Sequence, residues 1–175
     1  MTTNFLDISY LKDGNERQKS AYQILINNQI FQKLAPFDPI LTGTIPISID
    51  IETSDLDIIC YWKSNVDFII SLQKHFEKER DFKCRTAIID DQETIIANFC
   101  KDEFEIEIFG QNIPSLHQNA YRHMLIEHQI LKEKGEQFRE EIINLKLNGM
   151  KTEPAFAKLL NLKGNPYEAL LNYYV

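Results

Sequence analysis

The chain has 175 residues, of which 43% are hydrophobic and 26% are charged, close to the average of globular proteins. This length suits one domain, with a core large enough to need no disulfide or metal support. With 19 basic and 26 acidic residues the formal net charge is −7, which disfavours a protein that coats DNA or RNA non-specifically.

The termini and cysteines of the chain favour a cytoplasmic protein. No apolar run approaches the roughly 18 residues of a membrane span, and the N-terminus lacks the basic start and apolar stretch of a signal peptide. Cys60, Cys84 and Cys100 are odd in number and match no CxxC spacing. We therefore expect three reduced core thiols and no membrane association.

In chain order, the hydrophobic pattern predicts helices and short strands that combine into an α+β domain with a mixed sheet. Asn15 and Gln18 begin the first helix with a variant of the capping box, and Pro46 is placed to open a helical turn. Strands 84–90, 94–100 and 104–109 are separated by short polar turns and form an antiparallel meander. The remaining predicted elements are the helices 15–34, 65–80, 116–133, 136–148 and 152–162 (capped by Thr152), a last helix from Pro166, and the strand 55–62.

Two acids at the start of a predicted strand carry the main chemical signal. Asp55 and Asp57 face the same way on a strand, with Cα atoms roughly 6.5 Å apart. The apolar run that follows them, Ile58 to Cys60, indicates a strand buried on both faces. Acids at the mouth of a buried strand repel one another unless a cation lies between them, and hard oxygen ligands favour Mg²⁺ or Mn²⁺. An ordinary acidic strand face is the alternative interpretation.

Two further acids, Glu105 and Glu107, share one face of the strand 104–109. Alone they indicate a solvated surface. If this strand pairs with the strand of Asp55 and Asp57, one glutamate could complete a carboxylate triad, bind metal and help to deprotonate an attacking hydroxyl. The residues leave open which glutamate this is.

Ten residues separate the turn at Gly43 and Thr44 from Asp55. Glycine lets the backbone approach a ligand closely, the N–H groups that follow can hold phosphate oxygens, and Thr44 adds a hydroxyl. An ordinary loop is the alternative. The helix that begins near residue 118 adds Asn119, Arg122 and His123, of which Arg122 is suited to gripping a phosphate and the other two to contacting a base or sugar.

These motifs resemble the nucleotidyltransferase superfamily of the DNA polymerase beta type. The resemblance rests on Leu41-Thr42-Gly43-Thr44, on Ser54-Asp55-Leu56-Asp57-Ile58 and on Ile106-Glu107-Ile108. The chain is more closely similar to a small, mostly bacterial family of nucleotidyltransferase-like proteins of unknown function. That similarity also covers the segments 10–18, 118–124 and 151–157. Thr44 departs from the usual Gly or Ser of the superfamily, and both glutamates stand where Asp is more common.

The resemblance implies a minimal nucleotidyltransferase fold within a single domain, residues 1–175, with a core of about 36–112 and a helical tail of about 114–175. It implies transfer of a nucleoside monophosphate from a nucleoside triphosphate to a hydroxyl. The net charge of −7 favours a small molecule or a protein as the acceptor over bulk nucleic acid. Magnesium would be held by Asp55, Asp57 and Glu107, with Glu105 as the other candidate for the third acid. The nucleotide would be bound by Gly43, Thr44, Ser54, Asn119, Arg122 and His123. A degenerate module that binds a nucleotide or protein, and a metal-dependent phosphohydrolase, are the alternatives.

Overall fold

The computed structural model describes residues 3–174 and contains seven α-helices and five strands within them. Short 3₁₀ helices cover Ile8–Asp13, Ala35–Phe37 and Ser115–His117. The strands are β1 (Ile40–Thr42), β2 (Leu56–Tyr61), β3 (Arg80–Ile89), β4 (Gln92–Lys101) and β5 (Phe104–Gln111). The helices are α1 (Glu16–Asn27), α2 (Ile30–Leu34), α3 (Asn65–Phe76), α4 (Asn119–Lys134), α5 (Glu136–Leu147), α6 (Thr152–Leu159) and α7 (Pro166–Leu171).

The first predicted helix begins as expected but is two helices rather than one. Asn15 and Gln18 form the reciprocal hydrogen bonds of a capping box at the start of α1. The prediction of one helix over 15–34 is wrong because Gln29 adopts a left-handed conformation, with φ of 54°, between α1 and α2. Apolar periodicity continues across this break, which is why the sequence pattern concealed it.

The five strands form one mixed sheet in the order β1-β2-β5-β4-β3. Strands β3, β4 and β5 are the predicted antiparallel meander. The parallel neighbours β2 and β5 lie at the centre of the sheet, and β1 pairs with β2 in the antiparallel direction. This arrangement confirms the predicted α+β fold with a mixed sheet.

The two faces of the sheet have different partners. One face, with Leu56 and Ile58 of β2 and Ile106 and Ile108 of β5, belongs to the core that contains side chains of α1, α2 and α3. Gly110 also lies on this face, where a Cβ atom would come within 2.1 Å of the Phe68 ring. Helices α4 to α7 pack with residues 47 and 49 in a second cluster. Asp57 and Glu107 lie on the face of the sheet opposite the first core, because side chains alternate along a strand.

Three smaller predictions need correction. Pro46 lies in a turn over residues 45–48, and this turn does not continue into a helix. Lys151, not Thr152, is the N-cap residue of α6, and Thr152 is its first residue. Of the cysteines only Cys60 is fully buried, while Cys84 and Cys100 are half-buried and all three are free thiols. Within residues 3–174, no helix combines the length and apolarity that crossing a membrane requires.

Candidate functional site

A cavity of about 630 Å³ lies between the sheet and the helical tail. Its sheet side is formed by residues of β2 and β5, and the turn after β1 forms a second wall. Residues of α4, α5 and α6 complete the lining. The cavity therefore combines side chains from distant parts of the chain.

Strand register places two of the predicted acids side by side in this cavity. Asp57 of β2 is the register partner of Glu107 of β5, in the parallel pairing of the two central strands. Asp55 precedes β2 by one residue and lines the same cavity. The strand pairing that a carboxylate triad requires is thus present, and it brings Asp55, Asp57 and Glu107 to one wall.

Gly43 lies against the carboxylate of Asp57. Its φ is 78°, and a Cβ atom at this position would come within 2.1 Å of Asp57 Oδ2. The glycine is therefore needed twice, once for its left-handed backbone and once for the close approach. Between residues 3 and 174, the backbone N–H groups of Gly43 and Thr44 donate to no protein acceptor.

The environment of Asp57 disfavours a lone negative charge. Burial is the largest cause that raises the pKa of Asp57 well above its usual range, and the charges of Asp55, Glu107 and Glu153 raise it further. Lys146 opposes this shift. In the described part of the chain, the Asp57 carboxylate takes part in no hydrogen bond or ion pair. A cation from solution would relieve this repulsion.

The residues on this wall fit a hard divalent cation by their donor chemistry. Carboxylate oxygens are the ligands that Mg²⁺ and Mn²⁺ prefer, and the Asp57 carboxylate has no protein partner to give up. As the side chains stand, no three Asp, Glu, His or Cys residues of the described chain are grouped closely enough to hold an ion. Asp55, Asp57 and Glu107 are the residues that could bind such an ion, because all three line the cavity and Asp57 is the register partner of Glu107.

The loop between Thr44 and Ser54 is held by hydrogen bonds of its own. Thr44 Oγ1 lies 3.2 Å from Ser54 Oγ, which also accepts a hydrogen bond from the Ile51 N–H. Both hydroxyls line the cavity. The polar side chains predicted to contact phosphate therefore connect the turn after β1 to the start of β2.

Side chains from α1 and α5 fix the same loop from outside. Arg17 donates to the carbonyls of Glu52 and Ser54 at 3.0 and 2.7 Å, and its Nε lies 3.5 Å from Asp50. Buried Gln18 donates to the Ile45 carbonyl at 2.8 Å. Arg139 of α5 also donates to loop carbonyls, at 2.5 and 3.1 Å. Sequence analysis treated Arg17 and Gln18 only as the start of a helix, because nothing in their spacing reveals a contact with this loop.

Lys146 is the main site residue that sequence analysis missed. It is buried in α5, lines the cavity and donates to the Ile49 carbonyl at 2.6 Å. Burial lowers its pKa to about 8, although the nearby Asp50, Glu127, Asp57 and Asp55 charges favour the protonated form. The sequence signal that could have drawn attention to it is its position four residues after Ile142, on the apolar stripe of the helix, where a lysine is unusual.

The tail also contributes two acids to the cavity. Glu127 of α4 is 4% exposed, and its Oε1 is a buried atom without a hydrogen-bond partner. Burial, and then the charge of Glu153, raise the pKa of Glu127 to about 8. Glu153 belongs to the first turn of α6 and lies with its Oε1 3.9 Å from His123 Nδ1. Neither acid was predicted, because both come from helices whose packing the sequence does not specify.

The other predicted residues divide into those inside and those outside the cavity. Asn119 and His123 line it, although the His123 Nε2 is already bonded to the Tyr167 carbonyl at 2.9 Å. Arg122 is exposed, donates to Asn119 Oδ1 at 3.1 Å and does not line the cavity, so its predicted phosphate contact stays a prediction that this geometry does not support.

Of the two glutamates, the cavity contains only Glu107. Glu105 is exposed, lies two residues before Glu107 in β5 and does not line the cavity. Asn98 of β4 donates to both, at 3.1 Å to Glu107 Oε2 and 3.4 Å to Glu105 Oε1. The geometry therefore places Glu107, not Glu105, opposite Asp57.

A family model described as a domain of unknown function, DUF4269, matches residues 23–173. The chain belongs to this family. The match covers the sheet, the cavity and the helical tail. Among curated proteins no match is found.

The DUF4269 chain is similar in fold to several solved nucleotidyltransferases. Cid1 poly(U) polymerase with bound MgGTP gives a TM-score of 0.55 at 12% identity, over 79% of this chain and 46% of that chain. The GLD-2/RNP-8 complex gives a TM-score of 0.53 at 11% identity, over 87% of this chain and 61% of that chain. The polymerase core of TRAMP, an RNA surveillance complex, gives a TM-score of 0.53 at 11% identity, over 93% of this chain and 50% of that chain.

These similarities show a nucleotidyltransferase-like fold, as the resemblance of the sequence motifs predicted. At 10–13% identity they show the fold alone. The DUF4269 chain spans about half the length of the Cid1 structures, so the activities of those whole proteins do not transfer to it.

Proposed function

We propose that this protein is a metal-dependent nucleotidyltransferase, which moves a nucleoside monophosphate from a nucleoside triphosphate to an acceptor hydroxyl. The observation that carries the proposal is the register of the two central strands. It places Asp57 beside Glu107, with Asp55 adjacent and with Gly43 in contact with the Asp57 carboxylate. Such a wall supplies oxygen ligands beside a turn with free N–H groups, the two parts that a metal–triphosphate complex needs.

Asp55, Asp57 and Glu107 would hold magnesium, which when bound neutralises charge on the phosphate oxygens. The Gly43 and Thr44 N–H groups and the Thr44 hydroxyl would bind oxygens of the polyphosphate. Lys146 would add an ammonium charge on the tail side of the cavity, in the role that the sequence had assigned to Arg122. Ser54 would keep the Thr44 hydroxyl in place through their 3.2 Å contact.

In the reaction, the acceptor oxygen forms a bond to the α-phosphorus. The bond from that phosphorus to the bridging oxygen breaks, and pyrophosphate leaves with the electron pair. The hydroxyl proton passes to a carboxylate, for which Glu107 is the candidate because it shares the wall with Asp57. Asn98 donates to Glu107 Oε2, so it keeps that carboxylate oriented while the other oxygen remains available.

We propose a small molecule or a protein as the acceptor. A net charge of −7 opposes non-specific contact with a polynucleotide. The solved structures named above include proteins that act on RNA, so they give no support to the prediction that bulk nucleic acid is excluded. Binding of duplex DNA and of single-stranded RNA at about 150 mM salt, the physiological screening regime, tests this part directly.

The test of the proposed reaction is pyrophosphate release from each nucleoside triphosphate with magnesium and a pool of candidate acceptors. We expect release that depends on an acceptor and disappears in Asp55→Asn and Asp57→Asn. Release of pyrophosphate or phosphate without any acceptor would favour a phosphohydrolase. No release, from a protein that binds magnesium nucleotide, would favour the non-catalytic candidate described next.

A nucleotide-binding protein without catalysis is the second candidate, and Lys146 favours it. Lys146 lines the same cavity as Asp55 and Asp57, whose charges, after those of Asp50 and Glu127, raise its pKa against the larger effect of burial. A lysine in this position supplies positive charge where a metal would otherwise be needed. Nucleotide binding that persists in chelator would support this candidate.

A further inference from the structure

The cavity is far more acidic than a metal–triphosphate complex requires. Among the described residues it is lined by one ammonium, Lys146, and by the six carboxylates Asp55, Asp57, Asp90, Glu107, Glu127 and Glu153. Three of these acids belong to the candidate metal wall. The other three, Asp90, Glu127 and Glu153, line the rest of the cavity, where they would repel an anionic acceptor.

Two buried acceptor atoms at this cavity have no donor. Glu127 Oε1 is buried without a hydrogen-bond partner, and so is Gln118 Oε1. The Gln118 amide is fixed in this orientation, because its Nε2 donates to the carbonyls of Cys60 and Ile113 at 2.8 and 2.9 Å. A buried acceptor that lacks a donor is costly, so both atoms indicate a ligand that supplies hydrogens.

His123 extends this acceptor surface. Its Nε2 lies 2.9 Å from the Tyr167 carbonyl, which can only accept, so Nε2 carries the hydrogen. In the neutral ring Nδ1 is then an acceptor, and it lies 3.9 Å from Glu153 Oε1. Two acceptors at this separation have no hydrogen to share, unless a donor enters between them.

We propose that the part of the cavity formed by Glu127, Glu153 and His123, here called the tail subsite, binds an ammonium group of the acceptor. The inference rests on the proposed function and makes the acceptor class more specific: a hydroxyl compound that carries one or more amines. An ammonium offers three donors and a positive charge, which matches a surface of unpartnered acceptors and acidic side chains. Its charge would favour the ionised form of Glu127, whose pKa burial raises to about 8. Lys146 does not fill this role, because its Nζ is bonded to the Ile49 carbonyl.

A matched pair of small probes tests the tail subsite. 1,3-Diamino-2-propanol carries two ammonium groups on a three-carbon alcohol, and glycerol has the same carbon skeleton with hydroxyls in their place. Both are titrated by NMR into the full chain at constant ionic strength, in chelator and without nucleotide. We expect the diamine to bind at least tenfold more tightly than glycerol. Equal affinities would overturn the proposal.

Variants assign the binding to the tail subsite. Glu127→Gln keeps the shape of the side chain and should weaken diamine binding at least fivefold, whereas Glu140→Gln removes an exposed charge from α5 and should leave it unchanged. Glu153→Gln, at a partly exposed position, provides the same test if Glu127→Gln does not fold. Diamine affinity that is insensitive to both substitutions would contradict the assignment.

The same titrations separate this inference from the proposed function. Magnesium nucleotide is titrated into the parent and into Glu127→Gln in parallel. If nucleotide binds but the diamine does not, the tail subsite is wrong and the proposed function stands. If the diamine binds through Glu127 but magnesium nucleotide does not bind, the ammonium site stands and the proposed function is wrong.

Discussion

The α-carbon of Gly43 and the carboxylate of Asp57 are in direct contact, so that a single added methyl would lie 2.1 Å from Asp57 Oδ2. The contact joins the turn after β1 to the central strand β2. Asp57 is thereby confined between Gly43 on one side and its register partner Glu107 on the other. This confinement explains why the candidate site depends on a glycine at position 43 and on no other residue there.

We predict that Gly43→Ala displaces Asp57 and abolishes stabilisation of the fold by magnesium nucleotide. Gly149→Ala is the matched control, because Gly149 has a φ of 85° but no atom within 4 Å of an added Cβ. Both variants incur the left-handed strain of about 1–2 kcal/mol. Only Gly43→Ala should lose more stability than this and also lose the nucleotide response in thermal melts. Similar behaviour of the two variants would refute a special role for the contact.

We predict that Asp57→Asn leaves the protein in chelator as stable as the parent, or more stable. The Asp57 carboxylate is buried beside Asp55 and Glu107 and has no partner within the described structure, so neutralising it relieves repulsion. If the acid were a structural partner, its loss would cost about 0.5–3 kcal/mol. Denaturant melts in chelator distinguish the two outcomes, and a clearly destabilised Asp57→Asn would show that the acid is structural.

The fold and the acids of this site could be predicted from sequence, whereas the tail side of the cavity could not. Alternation along β2 and β5 places Asp57 and Glu107 on definite strand faces, and the spacing from Gly43 to Asp55 follows the chain. Lys146 and Glu127 reach the cavity only through the packing of α4 and α5, which apolar periodicity does not orient. The choice between Glu105 and Glu107 was open for a similar reason, since it depends on the register between two strands.

Stability in chelator should depend on pH through Glu127. Its pKa rises from 4.5 to about 8 in the folded protein, through burial and the charge of Glu153, with Lys146 opposing. Between these values the folded state holds the proton more firmly than the unfolded state, so the free energy of unfolding falls as pH rises. Glu127→Gln should make this decline shallower, while Glu140→Gln should not. A parallel decline in all three proteins would contradict the assignment.

At higher pH, Lys146 should make the free energy of unfolding rise with pH, opposite to the effect of Glu127. Burial lowers its pKa from 10.5 to about 8, against the charges of Asp50, Glu127, Asp57 and Asp55. Above about 8 the unfolded state binds more protons, so the contribution of Lys146 to stability rises with pH. Chemical denaturation between pH 8 and 10 should show this rise in the parent and a loss of it in Lys146→Met.

Arg17 should support the site from outside the cavity. Arg17→Lys retains the charge but loses the fork that donates to the carbonyls of Glu52 and Ser54. We expect a loss of about 1.5–3 kcal/mol in the free energy of unfolding and weaker nucleotide binding. Arg80→Lys is the control, because exposed Arg80 makes only long contacts, 3.5 Å to the Asp102 carbonyl and 3.7 Å to the Asp81 carboxylate. Equal effects of the two substitutions would argue against a positioning role for Arg17.

The most direct test of the carboxylate wall is a calorimetric titration of a non-hydrolysable nucleoside triphosphate into Glu107→Gln and Glu105→Gln, with magnesium and in chelator. The two glutamates lie on one strand face, but only Glu107 lines the cavity beside Asp57. The account predicts magnesium-dependent binding by the parent and by Glu105→Gln, and a loss of at least tenfold in affinity for Glu107→Gln. Binding that needs no magnesium, or that is the same in both variants, would contradict it.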